Sequence, residues 1–184
     1  MIRMSKTLYV GALVVTFIFL FLFGIPALFL LDSYKIPRDL GIDDSITSLS
    51  VAGLIFLSVA PFLITQIILT FLVIYKMWAS IQGGRATRTT PGKALGFLFI
   101  PFFNLYWLFQ VWGGFPTDYN RYIDEYSLPL PKLSSGLYIA YPILTLIPFL
   151  GILLAPLVFI FVIIKTSNAV NLLADAKQYR QVVR

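Results

Sequence analysis

The sequence predicts an all-α integral membrane protein, a four-helix bundle with proline-kinked helices, a short interfacial helix and an amphipathic C-terminal extension. Three observations carry this. Of 184 residues, 59% are hydrophobic and only 12% charged, with a mean hydropathy of +0.87; a soluble domain of this size needs a more charged surface. Four segments, 7–31, 49–75, 94–112 and 137–164, contain no Asp, Glu, Lys or Arg. Each is close to or above the ~20 residues that a helix needs to cross a ~30 Å hydrocarbon core.

The first segment follows Arg3 and Lys6. Its apolar run is longer than a signal-peptide core and lacks an A-x-A cleavage pattern, which predicts a retained helix. Thr90-Pro91 offers an N-cap and a first-turn proline to the third helix. Tyr75 and Trp78 are expected at the inner headgroup level, and Trp112 and Tyr138 at the outer one.

Charge placement predicts orientation. The N-terminal flank, the loop after the second segment and the tail 165–184 hold ten basic residues and one acid, whereas the other two loops hold four basic residues and seven acids. Four crossings of a single membrane domain, 1–184, with both termini cytoplasmic satisfy the positive-inside rule. That placement fits a bilayer better than nucleic acid, although the chain carries +6 net charge.

Two amphipathic stretches flank the membrane. Tyr119, Tyr122, Ile123 and Tyr126 share a face of TDYNRYIDEY, read as a short interfacial helix. Ala169, Leu172, Leu173, Ala176 and Tyr179 form a stripe on the tail, read as a continuation of the fourth helix. Tyr119, Tyr122, Ile123, Tyr126, Ala169, Leu172 and Leu173 are therefore the candidate partner-interface residues. Arg85, Arg88 and Lys93, in the loop QGGRATRTTPGK, are the candidates for anionic headgroups. That loop misses the phosphate-binding pattern G-x-x-x-x-G-K-[ST].

Polar residues inside the apolar segments are few. Asn104 follows Pro101 by three positions, and Pro101 is expected to bend its helix by removing one backbone donor. Asn104, with Gln66, Thr65 and Thr70 on the second helix, forms either a polar mid-membrane site or an interhelical hydrogen bond. The second reading, worth roughly 0.6–2 kcal/mol, is the commoner use of such residues. FLFGIPALFL in the first segment and FLFIPFFNL in the third are alike, as a parallel repeat or as chance in Phe- and Leu-rich sequence.

Catalysis and cofactors have little footing. The chain has no His and no Cys, and its eight carboxylates lie in loops, flanks or tail, so the usual general bases, thiol nucleophiles and metal sites are missing. No enzyme, cofactor, metal or nucleic-acid partner is expected. The leading expectation is a structural or accessory subunit, or scaffold, within a larger membrane complex, whose partners are the bilayer and other membrane proteins. The alternative is a small transporter or channel for a neutral solute or a lipid.

RTTPGKALGFLFIPFFNLYWLFQVWGG, then DYNRY and IIKTSNAVNLLA, resembles a group of uncharacterised bacterial multi-pass membrane proteins. The likeness covers residues ~80–175 and implies a bacterial cytoplasmic (inner) membrane location. It implies no activity and no functional residues.

Overall fold

A computed structural model describes residues 2–19, 44–85, 87–147 and 150–182, and the described residues are helical, without a strand. The helices are α1 (Lys6–Phe19), α2 (Asp44–Ser80), α3 (Pro91–Gly96), α4 (Phe103–Glu125), α5 (Ser135–Leu146) and α6 (Leu150–Val182); a 3-10 turn, Phe97–Phe99, follows α3. Two helices, α2 and α6, contain windows long and apolar enough to cross a membrane, Leu63–Ser80 and Leu154–Val182. The chain divides into two compact units, Gly11–Leu69 on one hand and Met1–Val10 with Thr70–Arg184 on the other.

In the first unit, α1 and the first part of α2 present large apolar side chains outward, among them Val15, Ile18, Phe56, Ile64 and Ile68. So many large apolar side chains on the outside are foreign to a water-facing monomer. The rest of segment 7–31 and the loop to residue 43 lie outside the described residues.

The second unit departs from the expected crossings. Segment 94–112, expected as one bent helix, is instead a hairpin. Thr90 caps α3 as expected, its hydroxyl accepting from Lys93 N, with Pro91 in the first turn. The helix then tightens at Phe97–Phe99 and stops at Ile100, which is extended (ψ 115°). Pro101 supplies no N–H and forces its predecessor out of the helical region. Phe102 takes a positive φ of 63°, and the chain reverses as Asn104 N donates to Ile100 O (2.9 Å). The arms are stapled together: Trp107 Nε1 donates to Ala94 O (3.1 Å), and the Trp107 ring packs on Phe97 with centroids 4.8 Å apart.

Segment 137–164, expected as one long crossing, is likewise folded on itself. α5 ends at Ile147, again extended (ψ 112°), immediately before Pro148. α6 begins at Leu150 and returns alongside. Tyr141 and Phe159 stack at 4.6 Å, and Tyr138 OH pairs with Thr166 Oγ1 at 2.8 Å. Gly151 lies so close to α5 that a Cβ there would sit 2.2 Å from the Leu144 carbonyl oxygen.

Two further expectations change. Trp78, Trp112 and Tyr138, assigned to headgroup levels on opposite faces, are all buried in one core. Phe115 touches both Trp78 (6.0 Å) and Tyr138 (6.2 Å). The separate interfacial helix is the second half of α4, whose buried stripe runs from Val111 through Phe115 and Tyr119 to Ile123 without a break. The expected continuation of the last helix is present, since α6 runs through Lys165 to Val182.

Gly151 supplies a direct check on the second hairpin. Gly151→Ala should destabilise the protein by about 1–3 kcal/mol or more, the usual cost of overpacking, because the contacted atom is backbone. Gly92→Ala, with nothing within 4 Å of its Cβ, should be near neutral. Thermal unfolding of both variants in detergent, followed by circular dichroism, measures the difference.

Candidate functional site

The charged and polar side chains of the second unit gather at one end. α2 finishes at Ser80, and the loop 81–90 folds back over it. Thr87 Oγ1 donates to Ile81 O (2.7 Å), while Gln82 Nε2 donates to Trp78 O (2.8 Å) and Thr89 O (3.1 Å). Gly83 holds φ +91°, and Gly84 abuts the Tyr122 ring so closely that a Cβ would lie 2.7 Å from it.

This loop is bound to α4 by ion pairing. Asp118 is fully buried and accepts from Arg88 N (2.9 Å) and Arg88 Nε (2.8 Å). Arg85 N donates to Glu125 Oε1 (3.2 Å), and Tyr126 OH donates to Gly83 O (3.1 Å). The loops 76–93 and 113–136, assigned by charge to opposite faces, therefore meet. The seven acids counted for the other face include Asp118 and Glu125, and these two are partners of the basic loop.

α6 closes the same end. Lys177 Nζ donates to Ser80 O (2.7 Å) and lies 4.6 Å from the Tyr122 ring centre; Arg180 donates to Tyr126 O. Burial holds Lys177 below the ordinary lysine pKa and pushes Tyr119 up to about 12. Two asparagines each bind both backbone groups of one residue, as a neighbouring strand would. Asn120 takes Leu133 (both 2.8 Å) and Asn171 takes Met4 (both 2.9 Å). Arg3 pairs with Asp175 at 2.5 Å, and Lys76 Nζ donates to Arg3 O (3.2 Å). The N-terminal segment and the last helix thus share this end. A cavity of about 270 Å³ opens between Ile2, Ser80, Val170 and Lys177.

The expected site residues are redistributed. Tyr119, Tyr122, Ile123, Ala169 and Leu173 are buried inside the chain, so these stripes pack intramolecularly and are not free partner surfaces. Tyr126 is half-buried, and Leu172 is exposed beside Tyr179 and Val182. Arg85, Arg88 and Lys93 are all exposed, and Arg88 is also engaged by Asp118. Asn104 sits at the hairpin tip, and its side chain makes no hydrogen bond to a described residue. Thr65 Oγ1 donates to Pro61 O within its own helix (2.8 Å). Thr65 and Gln66 belong to the first unit and Asn104 and Thr70 to the second.

Asp118, Asn120 and Asn171 were not singled out by sequence. Their signal was faint: Asp118 and Asn120 stand among hydrophobic positions of the stripe, and Asn171 flanks one. Among the described residues, no three acids converge as a metal would require. What the end can do chemically is present cations. Eleven Lys and Arg residues lie in the described part of the unit against four acids, and Lys6, Arg85, Lys93, Arg121 and Lys165 are exposed. No protein-family profile, characterised protein or solved structure matches this chain.

The buried carboxylate is testable. Arg88→Gln should cost about 1.5–3 kcal/mol, the range for a hydrogen bond to a charged group. The double-mutant cycle with Asp118→Asn should give a coupling above about 0.5 kcal/mol. Denaturant titration in detergent reads both values.

Proposed function

We propose that this chain is a non-enzymatic structural protein of the bacterial cytoplasmic membrane, acting as a scaffold or accessory subunit that holds a basic platform at the cytoplasmic face. α1 begins one crossing of the bilayer and α2 makes another. The two hairpins, α3–α4 and α5–α6, enter from the cytoplasm and return to it.

The observation that carries this reading is the meeting of loop 81–90 with residues 118–126 through Arg88 and Asp118. Segment 91–117 leaves and rejoins the same end. Length supports the same reading of the second hairpin. α5 has 12 residues, about 18 Å at ~1.5 Å per residue, against a core of ~30 Å. Were α6 to cross fully, α5 would draw the exposed Lys132–Asp124 pair (2.9 Å) into hydrocarbon, at a cost of several kcal/mol. α6 is long enough to span but is a returning arm.

The charge rule accommodates this arrangement at least as well as four crossings. The hairpin end carries the large excess of Lys and Arg, while 32–44 holds two basic residues and four acids. Arg85, Lys93 and Arg121 then meet anionic headgroups, at roughly 1 kcal/mol each. Contact with another membrane protein falls to the exposed Leu172, Tyr179 and Val182 ridge of α6, in place of the buried stripes.

Because the chain lacks cysteine, single cysteines report sidedness cleanly. In inverted membrane vesicles, Arg121→Cys and Gln178→Cys should react with an impermeant maleimide without detergent, and Lys35→Cys should not. Protection of Arg121→Cys together with reaction of Gln178→Cys would restore the four-crossing arrangement.

A further inference from the structure

We propose that the two hairpins form a wedge in one leaflet, so that the protein gathers in, and stabilises, membrane whose cytoplasmic leaflet is convex. This rests on the topology proposed above. The first support is depth. Pro91–Phe99 rises about 15 Å and α5 about 18 Å, close to the ~15 Å half-thickness of a hydrocarbon core. The hairpin tips therefore stop near the midplane.

The second support is what clothes them. No charged residue occurs between Lys93 and Asp118 or between Lys132 and Lys165. Around the tips, Phe102 is 89% exposed, Phe99 68%, Tyr106 57%, Leu146 49% and Leu154 41%. An apolar, aromatic surface lying beyond a cationic rim fits the acyl chains of a single leaflet. Phe102, aimed outward from a residue with positive φ, is placed at the most exposed point of the turn.

The third support is area. Four helical arms, each ~10 Å across, occupy the cytoplasmic leaflet and do not continue into the other, an excess of about 300 Å². A leaflet that must hold this extra cross-section relaxes by curving outward on its own side. Flat or oppositely curved membrane compresses the lipids around the arms.

The experiment uses full-length Arg121→Cys and Lys35→Cys chains, reconstituted into phosphatidylethanolamine–phosphatidylglycerol vesicles, either small and sonicated or large and extruded. An impermeant maleimide, applied before and after detergent, gives the fraction of chains with each residue outside. Small vesicles should show a several-fold excess of chains with Arg121→Cys outward, falling towards parity in large ones. If the two cysteines report opposite sides but orientation is independent of radius, the wedge fails while the topology stands. If both report the same side, the topology fails and the wedge with it. Oxidation of Phe102→Cys chains into disulfide dimers in these vesicles would place a second copy on the tips and overturn the lipid assignment.

Discussion

A carboxylate removed from water must be matched by donors or it destabilises the fold. Asp118 is such a group, and both its donors come from Arg88. The rest of the second unit follows from that demand. A chain fastened at residues 88 and 118 returns to where it started, so the apolar stretch between them reverses. α4 then ends beside the loop that precedes α3. Asn120, two residues on from Asp118, seizes Leu133 and starts α5 from the same level. α5 ends after 12 residues, and α6 comes back alongside it.

Part of this was legible in the residues. The helical content, the Thr90–Pro91 helix start and the run of the last helix past Lys165 follow from capping chemistry and periodicity. The reversals were harder to see because proline alone does not decide them. Pro61, Pro116, Pro142 and Pro156 sit inside continuous helices, preceded by Ala60, Phe115, Tyr141 and Ala155. At both reversals the tripeptide is Ile-Pro-Phe, 100–102 and 147–149. A β-branched residue already resists the helix, and a following proline pushes it further into extended backbone. Among the described residues, the residue before proline separates the two reversals from the continuous helices.

Charge counting and amphipathic stripes share a blind spot. Both treat a residue as facing a solvent, either water or lipid, and neither sees contacts within the chain. Asp118 counted with the acids of one loop while it is the partner of Arg88 in another. Tyr119, Tyr122 and Leu173 were apolar faces in search of a cover, and the cover is the chain itself. Exposed Leu172 and Tyr179 survive as candidates because nothing in their own unit buries them.

The clasp between Asn171 and Met4 has a consequence for biosynthesis. Met4 leaves the ribosome 167 residues ahead of the side chain that seats it. At elongation rates approaching ~20 residues per second, that is a wait of roughly eight seconds, and longer when translation is slower. Throughout that interval the N-terminal segment has no Asn171 amide and no Asp175 carboxylate to hold it. The clasp on Met4 is thus closed late, by its first and last stretches of sequence together, and a chain halted before residue 171 lacks it even though Lys76 is already present to reach Arg3 O.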